Sequence, residues 1–395
     1  MTSRQIFLNH LAQTSEAPLC IEISKAEDVF LYDIKDKKYI DLIGGISVCN
    51  VGHGNSEVKK AICDQLEKYM HVMVYGELIQ SPQIEYAKAL AQFMPENLQS
   101  VYFTNSGAEA TEGALKLAKR VTKRSKIISF KNAYHGSTQG ALSVMGSDYF
   151  QQAYRPLLPD IFQYDYGSFD AIDAIDEKTA CVILEPVQSE AGVIIPNIEW
   201  LKSLKRKCQE MGCLLIFDEI QTGFGRTGSL FRFLEIDIIP DILLLGKAIG
   251  GGMPLGAFIS SKENMNLFTH NPVLGHITTF GGHPVSCAAG LAAFQFLLKE
   301  KLYEQVRKKE QIFIESLNHP SILKVNSCGL LIAIHFENYD LNKKIIDTSI
   351  AKGVFTDWFL FASNALRIAP PLTIQEKEIR EACAIILEAI NEVTC

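Results

Sequence analysis

Between residues 20 and 42, apolar and polar positions alternate (CIEISKAEDVFLYDIKDKKYIDL), with turns at Lys25-Ala26-Glu27-Asp28 and Lys35-Asp36-Lys37-Lys38. A period of two predicts short, half-buried strands. From Ser56 to about Gln92 the apolar spacing turns helical. Beyond it, short runs predict strands at Ser100–Thr104, Ile127–Phe130, Ala180–Leu184, Leu214–Phe217 and Ile242–Leu245. Helical stretches separate them: Ala108–Val121, with Ala110, Ala114, Leu117, Ala118 and Val121 on one face, and Trp200–Met211. Short apolar strands between helices belong to a mostly parallel sheet covered on both faces. After Ser286 a long helix (Ala288–Leu298) leads into a smaller α+β tail that ends in Ile379–Val393. The expectation is an α/β protein with a large central lobe (58–287) and a small lobe from both chain ends (1–57 and 288–395).

Composition narrows the function classes. The 395 residues are 47% hydrophobic and 21% charged, which suits a large packed core and excludes disorder or low complexity. Thirty-eight Lys and Arg against forty-five Asp and Glu leave a net charge of −7, the wrong balance for a nucleic-acid or acidic-membrane binder. The most apolar region, Asp237 to Ser261, is broken by Asp241, Lys247 and several glycines, so no transmembrane span is expected. The N-terminus has no sustained apolar stretch, so no signal peptide is expected either. Ten scattered cysteines without a C-x-x-C pair suggest free thiols in a reducing cytoplasm. His270, His276 and His283 match no metal-ligand spacing, so no metal is expected.

In open α/β sheets, ligands gather at the carboxyl ends of the strands. Asp218-Glu219-Ile220-Gln221 follows one strand and Gly246-Lys247 another. Asn105-Ser106-Gly107-Ala108-Glu109 follows a third and opens a helix; Ala133-Tyr134-His135-Gly136 and Glu185-Pro186 follow two more. A helix N-terminus with a hydroxyl and a close-approach glycine suits a phosphate. A lysine directly after an apolar strand is partly desolvated, which favours the neutral amine that forms an imine with an aldehyde. An aspartate there can hold a ring nitrogen protonated, and Tyr134 can stack on a flat ring. Together these describe a site for pyridoxal 5′-phosphate. Gly223-Phe224-Gly225-Arg226-Thr227-Gly228 fits G-x-G-x-x-G, but it lies five residues from its strand and opens no clear helix, so it is read as a loop. The basic run Lys119–Lys126 at a helix end complements the helix dipole.

Seven motifs in order resemble the class III, fold-type I, pyridoxal-phosphate-dependent aminotransferases of acetylornithine/ornithine type. They are Asn105–Ala110, Tyr134–Gly136, Glu185–Gln188, Asp218–Gly228, Gly246-Lys247, Thr278–Gly282 and Leu366–Leu372, and the resemblance covers nearly the whole chain. It implies a mostly parallel seven-stranded sheet. It implies that Lys247 carries the Schiff-base link to the cofactor and moves the substrate proton, while Asp218 salt-bridges the pyridine nitrogen. Gln221 is implied to bond the ring hydroxyl and Ser106, Gly107 and Ala108 to hold the phosphate, with Tyr134, His135 and Glu185 also in the cofactor site. Thr279 is implied to reach the phosphate of a neighbouring subunit, which makes the protein an obligate homodimer. A small-molecule amino donor and a 2-oxo acid acceptor would react in ping-pong fashion.

Other residues bear on the substrate. Family members acting on acetylornithine, ornithine or 4-aminobutyrate commonly carry an arginine where this chain has Ser137, and Ile46 stands where ornithine enzymes have a tyrosine. Ser189 replaces a frequent glycine. Arg367 matches the family's carboxylate-binding arginine and Glu190 its gating partner. An ω-amine donor with pyruvate or glyoxylate is therefore an alternative to the acetylornithine/ornithine type. An aminomutase, a decarboxylase or a cofactor-binding regulator are alternatives on the same fold.

Overall fold

A computed structural model describes residues 1–394; Cys395 lies outside the described residues. The central sheet has seven strands. In spatial order they are Ser100–Thr104, Gly256–Ser260, Ile242–Leu245, Leu214–Asp218, Thr179–Leu184, Lys126–Phe130 and Ile161–Tyr164. All neighbours pair in parallel except Gly256–Ser260, which runs antiparallel to both of its partners. The expected mostly parallel, seven-stranded α/β architecture is thus present. Its inner strands are largely apolar because both faces are covered: every residue of Thr179–Leu184 and Ile242–Leu245 is buried.

Two smaller four-stranded sheets complete the fold. One joins the N-terminal strands Ile23–Glu27, Phe30–Asp33 and Lys38–Asp41 to Val354–Phe355 from the other end of the chain. The second is built from Lys324–Ser327, Ile332–His335, Ala362–Ile368 and Trp358–Phe359. Continuous hydrophobic packing runs from the central sheet into these elements, through Phe224, Phe294, Leu297 and Leu372.

Two helices hold the site-bearing loops by clear local signals. Gly107–Thr122 starts at Ser106, whose hydroxyl accepts from the Glu109 N–H, and ends at Lys123 in the left-handed conformation. Ile198–Met211 starts at Asn197, whose side-chain oxygen takes the Glu199 and Trp200 N–H groups, and ends at Gly212 with φ 61°.

The expected helical stretch from Ser56 to Gln92 resolves into two helices, Ser56–Leu66 and Ser81–Ala91, with irregular chain between them. Gly76 in that connection takes φ 87°, and Pro82 at the start of the second helix fixes a new nucleation point. The helix expected at Ala288–Leu298 spans Pro284–Lys299. Arg120 and Arg124 of the basic run do more than complement a dipole. Arg120 donates to the carbonyls of Leu267 and Asn271, and Arg124 to those of Thr179 and Met211, so the run fastens loops to the helix end. The Gly223–Gly228 loop buries Arg226, which donates to the carbonyls of Leu330 and Pro370 and to Asn50 Oδ1. That loop therefore locks the large sheet against the segment carrying Arg367. Among the described residues, no helix is long and apolar enough to cross a membrane.

Candidate active site

Parallel pairing sets three strand ends side by side. Leu184 is opposite Phe217, and Asp218 is opposite Leu244. Glu185, Asp218 and Lys247 therefore emerge at one sheet edge, under a cavity of about 480 Å³, a size ordinary for a small-molecule site. Every expected site residue except Arg367, Thr279 and Ile46 lines it. Ile220, Gly136 and Thr138, not singled out from the sequence, line it too.

Asp218 is held on both oxygens. Its Oδ1 accepts from the Ile220 N–H at 3.0 Å, and its Oδ2 accepts from His135 Nδ1 at 2.7 Å. Sequence reasoning did not pair His135 with Asp218, because the pairing depends on how the loops after two separate strands fold over one another. Lys247 follows its strand with φ 47°, a left-handed backbone that a side-chain-bearing residue adopts only when its surroundings enforce it. Its Nζ donates to Gln221 Oε1 at 2.5 Å. Burial, with a smaller contribution from Arg367 and against the opposing pull of Glu190, lowers the Lys247 amine to about 8. Glu185 is pushed up to about 7 by burial, while its oxygens accept from the Tyr134 and Ser189 N–H groups.

Ser106 spends its hydroxyl capping its own helix, so it leaves the Gly107 and Ala108 N–H groups of the first turn without intrahelical partners. Gly107 has a further reason besides the one expected. A Cβ there would meet the Ile220 Cδ1 at 2.7 Å, so the glycine serves packing against Ile220 as well as any ligand. Gly136 takes φ 125°, and a Cβ on it would lie 2.6 Å from the Ala108 Cβ. Tyr134 Oη and Ser137 Oγ are 3.2 Å apart at the cavity wall.

Arg367 sits deeper in the protein and meets Glu190 edge-on. Its Nη1 and Nη2 lie 2.6 and 2.9 Å from the two Glu190 oxygens. Burial alone would raise the Glu190 carboxyl; the Arg367 guanidinium holds it below the usual range instead. Thr279 is exposed, in the loop between Leu267–Thr269 and Pro284, and does not line this cavity. Ile46 does not line it either; it lies in a short turn, Gly44–Ser47, with φ 62°, between left-handed Gly45 and Ser47.

An anion at the open helix start, a ring above Asp218 and a carbonyl carbon within reach of Lys247 would together complete this arrangement. The His135 Nε2 and Gln221 Nε2 atoms are buried and without hydrogen-bond partners in cavity-lining residues, as a site shaped for a polar cofactor requires. The fold and site define a pyridoxal-phosphate-dependent enzyme on an α/β sheet. Comparison with known proteins gives the family. The class-III aminotransferase family matches residues 11–390. The chain is 36% identical over 387 residues to the acetylornithine aminotransferase of Methanopyrus kandleri, covering 97% of both chains. It is 37% identical over 381 residues to the putrescine aminotransferase of Pectobacterium atrosepticum, covering 92% of this chain and 80% of the relative. The ornithine aminotransferase structure from Toxoplasma gondii superposes with a TM-score of 0.91 at 28% identity, covering 99% of this chain and 94% of that one. The protein belongs to the class III aminotransferases and depends on pyridoxal 5′-phosphate.

Proposed function

We propose that the protein transfers an amino group from an amino-acid or ω-amino donor of the acetylornithine/ornithine type to a 2-oxo acid, in two half-reactions at the Lys247 cavity. The convergence of Lys247, Asp218 and the Gly107–Thr122 helix start in one cavity carries this reading. The cofactor's ring supplies an electron sink for the pair left behind when a proton leaves the substrate carbon. Lys247, whose amine is lowered to about 8, would hold the cofactor's carbonyl carbon through that amine and would carry the substrate proton. Asp218, fixed by His135 and the Ile220 N–H, keeps the ring nitrogen protonated. The Gly107 and Ala108 N–H groups and the Ser106 region take the phosphate. Tyr134 would stack on the ring and Gln221 would hydrogen-bond it, and Glu185 holds the Tyr134 backbone in place.

Arg367 takes the carboxylate of the 2-oxo acid when Glu190 swings away from it. Arg367→Ala should then lose the 2-oxo-acid half-reaction far more than a half-reaction driven by an amine without an α-carboxylate. Equal losses in both would refute the role. A second reading, an ω-amine donor with pyruvate or glyoxylate, is favoured by Ser137, whose neutral hydroxyl cannot clamp a carboxylate as a guanidinium does. The test is optical. Purified holoprotein should lose its yellow band when a donor is added and regain it with a 2-oxo acid, and a donor series resolves the substrate. Consumption of substrate without any acceptor would instead indicate a mutase or a decarboxylase.

The same proposal includes a homodimer in which Thr279 faces the partner's cofactor. Exposed Ile79, Val273, Ile277 and Phe280 around that loop supply an apolar surface for it. Free cysteines, six of them buried, support a cytoplasmic protein. The lobes are proposed at 1–57, 58–287 and 288–395, the last boundary running through the first turn of the Pro284–Lys299 helix.

A further inference from the structure

Arg367 faces more carboxylate than one gate requires. Besides the two Glu190 contacts, its Nε lies 2.9 Å from Asp357 Oδ1. Oδ1 and Nε are both buried, and neither has another partner. Its Nη2 also donates to the Trp358 carbonyl at 2.8 Å, and the guanidinium lies over the Phe359 ring at 4.7 Å. One cation thus meets two carboxylates, on different edges.

The two carboxylates are attached differently. Glu190 belongs to the loop after the Thr179–Leu184 strand and reaches Arg367 from the cavity side. Asp357 lies across from Arg367 on neighbouring backbone: its carbonyl accepts from the Arg367 N–H at 2.9 Å, and the Thr356 hydroxyl donates to the Arg367 carbonyl at 2.6 Å. That pairing holds the Asp357 backbone beside the guanidinium at short range, whereas Glu190 reaches it from a separate loop, its own carbonyl accepting from the Phe361 N–H at 3.0 Å. Burial pushes the Asp357 carboxyl up to about 6, with Arg367 pulling it down.

We infer that Asp357 is a positioning residue that fixes Arg367 by its Nε edge, so that Glu190 and the substrate carboxylate exchange on the Nη edge of an unmoving guanidinium. The inference rests on the proposed role of Arg367. Two effects compete in it. Asp357 also screens the cation, but screening weakens Glu190 and the incoming carboxylate alike and largely cancels in their exchange. Aim does not cancel, because a substrate carboxylate needs both Nη atoms in one plane, and Glu190 is already tethered in the loop by the Leu360 N–H at 3.0 Å. The buried cation also keeps one counter-charge during the exchange, when a bare guanidinium would be strongly disfavoured.

The test uses the dimeric or monomeric holoenzyme as purified, with half-reactions followed by absorbance. Asp357→Ala should raise KM for the 2-oxo acid by tenfold or more. Its kcat, and the half-reaction with an amine lacking an α-carboxylate, should change less than twofold. Asp357→Asn keeps an oxygen against Nε and should show a smaller rise. A fall in KM would mean that Asp357 only screens the cation; equal losses in both half-reactions would mean a structural role. An Asn variant as impaired as the Ala variant would also overturn the inference. Arg367→Ala run in parallel separates the two levels: if it spares the 2-oxo acid, the role of Arg367 itself fails, and if it alone is impaired, only the inference about Asp357 does.

Discussion

His135 Nδ1 lies 2.7 Å from Asp218 Oδ2, with both side chains buried at the carboxyl edge of the sheet. The imidazole fixes the carboxylate from one side while the Ile220 N–H fixes it from the other, so its charge stays where a ring nitrogen would meet it. Asp218→Asn preserves the shape and removes the charge. It should lower kcat/KM for both half-reactions by about 100-fold or more, since proton management of this kind typically contributes that much. Steady-state kinetics with a donor and an acceptor decide it; activity near that of the unaltered protein would exclude the role.

A lysine amine lowered by burial reacts as the neutral base. Because its protonated form persists below about 8, the rate at which cofactor-free protein takes up pyridoxal phosphate should climb with pH up to about 8 and flatten above it. Below that point each unit of pH changes the neutral fraction about tenfold. Stopped-flow absorbance measures it, and a rate still rising steeply well above pH 9 would show an unperturbed lysine.

Gly136 combines φ 125° with a close approach to Ala108. Gly136→Ala adds a methyl group that must displace the first turn of the phosphate-facing helix, in a backbone conformation unfavourable to any side chain. Destabilisation of roughly 1–3 kcal/mol is expected, read from the shift of the urea midpoint, with weaker cofactor retention alongside. An unshifted midpoint would show that the loop adjusts freely.

His53 Nε2 lies 2.7 Å from Asp41 Oδ2. Burial alone would lower the imidazole, but the Asp41 hydrogen bond dominates with others and raises it to about 10. A folded-state value above the unfolded 6.5 stabilises fully below 6.5 and fades as pH rises toward 10. The stability gap between the unaltered protein and His53→Gln should therefore narrow between pH 6.5 and 10, as denaturant titrations at each pH will show. A gap that widens with pH contradicts the assignment.

Much of this was legible along the chain because parallel strands and their following loops are local. Apolar runs of four or five residues, each ending in a chemically distinct loop, announced Asp218, Lys247, Glu185 and the Ser106 helix start. Two strands of the central sheet, Ile161–Tyr164 and Gly256–Ser260, were not picked out by pattern. The first is partly exposed at the sheet edge, and the second follows a glycine-rich segment. What stayed hidden depends on contacts between elements. His135 meets Asp218 across 83 residues, while the Asp357–Arg367 contact, only ten residues apart, depends on the pairing of two short strands, Trp358–Phe359 and Ala362–Ile368, that the pattern did not pick out. The purpose of Gly107 was legible only as permissiveness toward a ligand; its packing against Ile220 required the fold.

The most direct measurement is to treat the purified holoprotein with borohydride, digest it and find the pyridoxyl group by mass spectrometry. The expected result is one modified residue, Lys247, lost when an amino donor is added before reduction. A pyridoxyl group on any other lysine, or none at all in protein that retains the cofactor, would contradict the assignment of Lys247 and the site built around it.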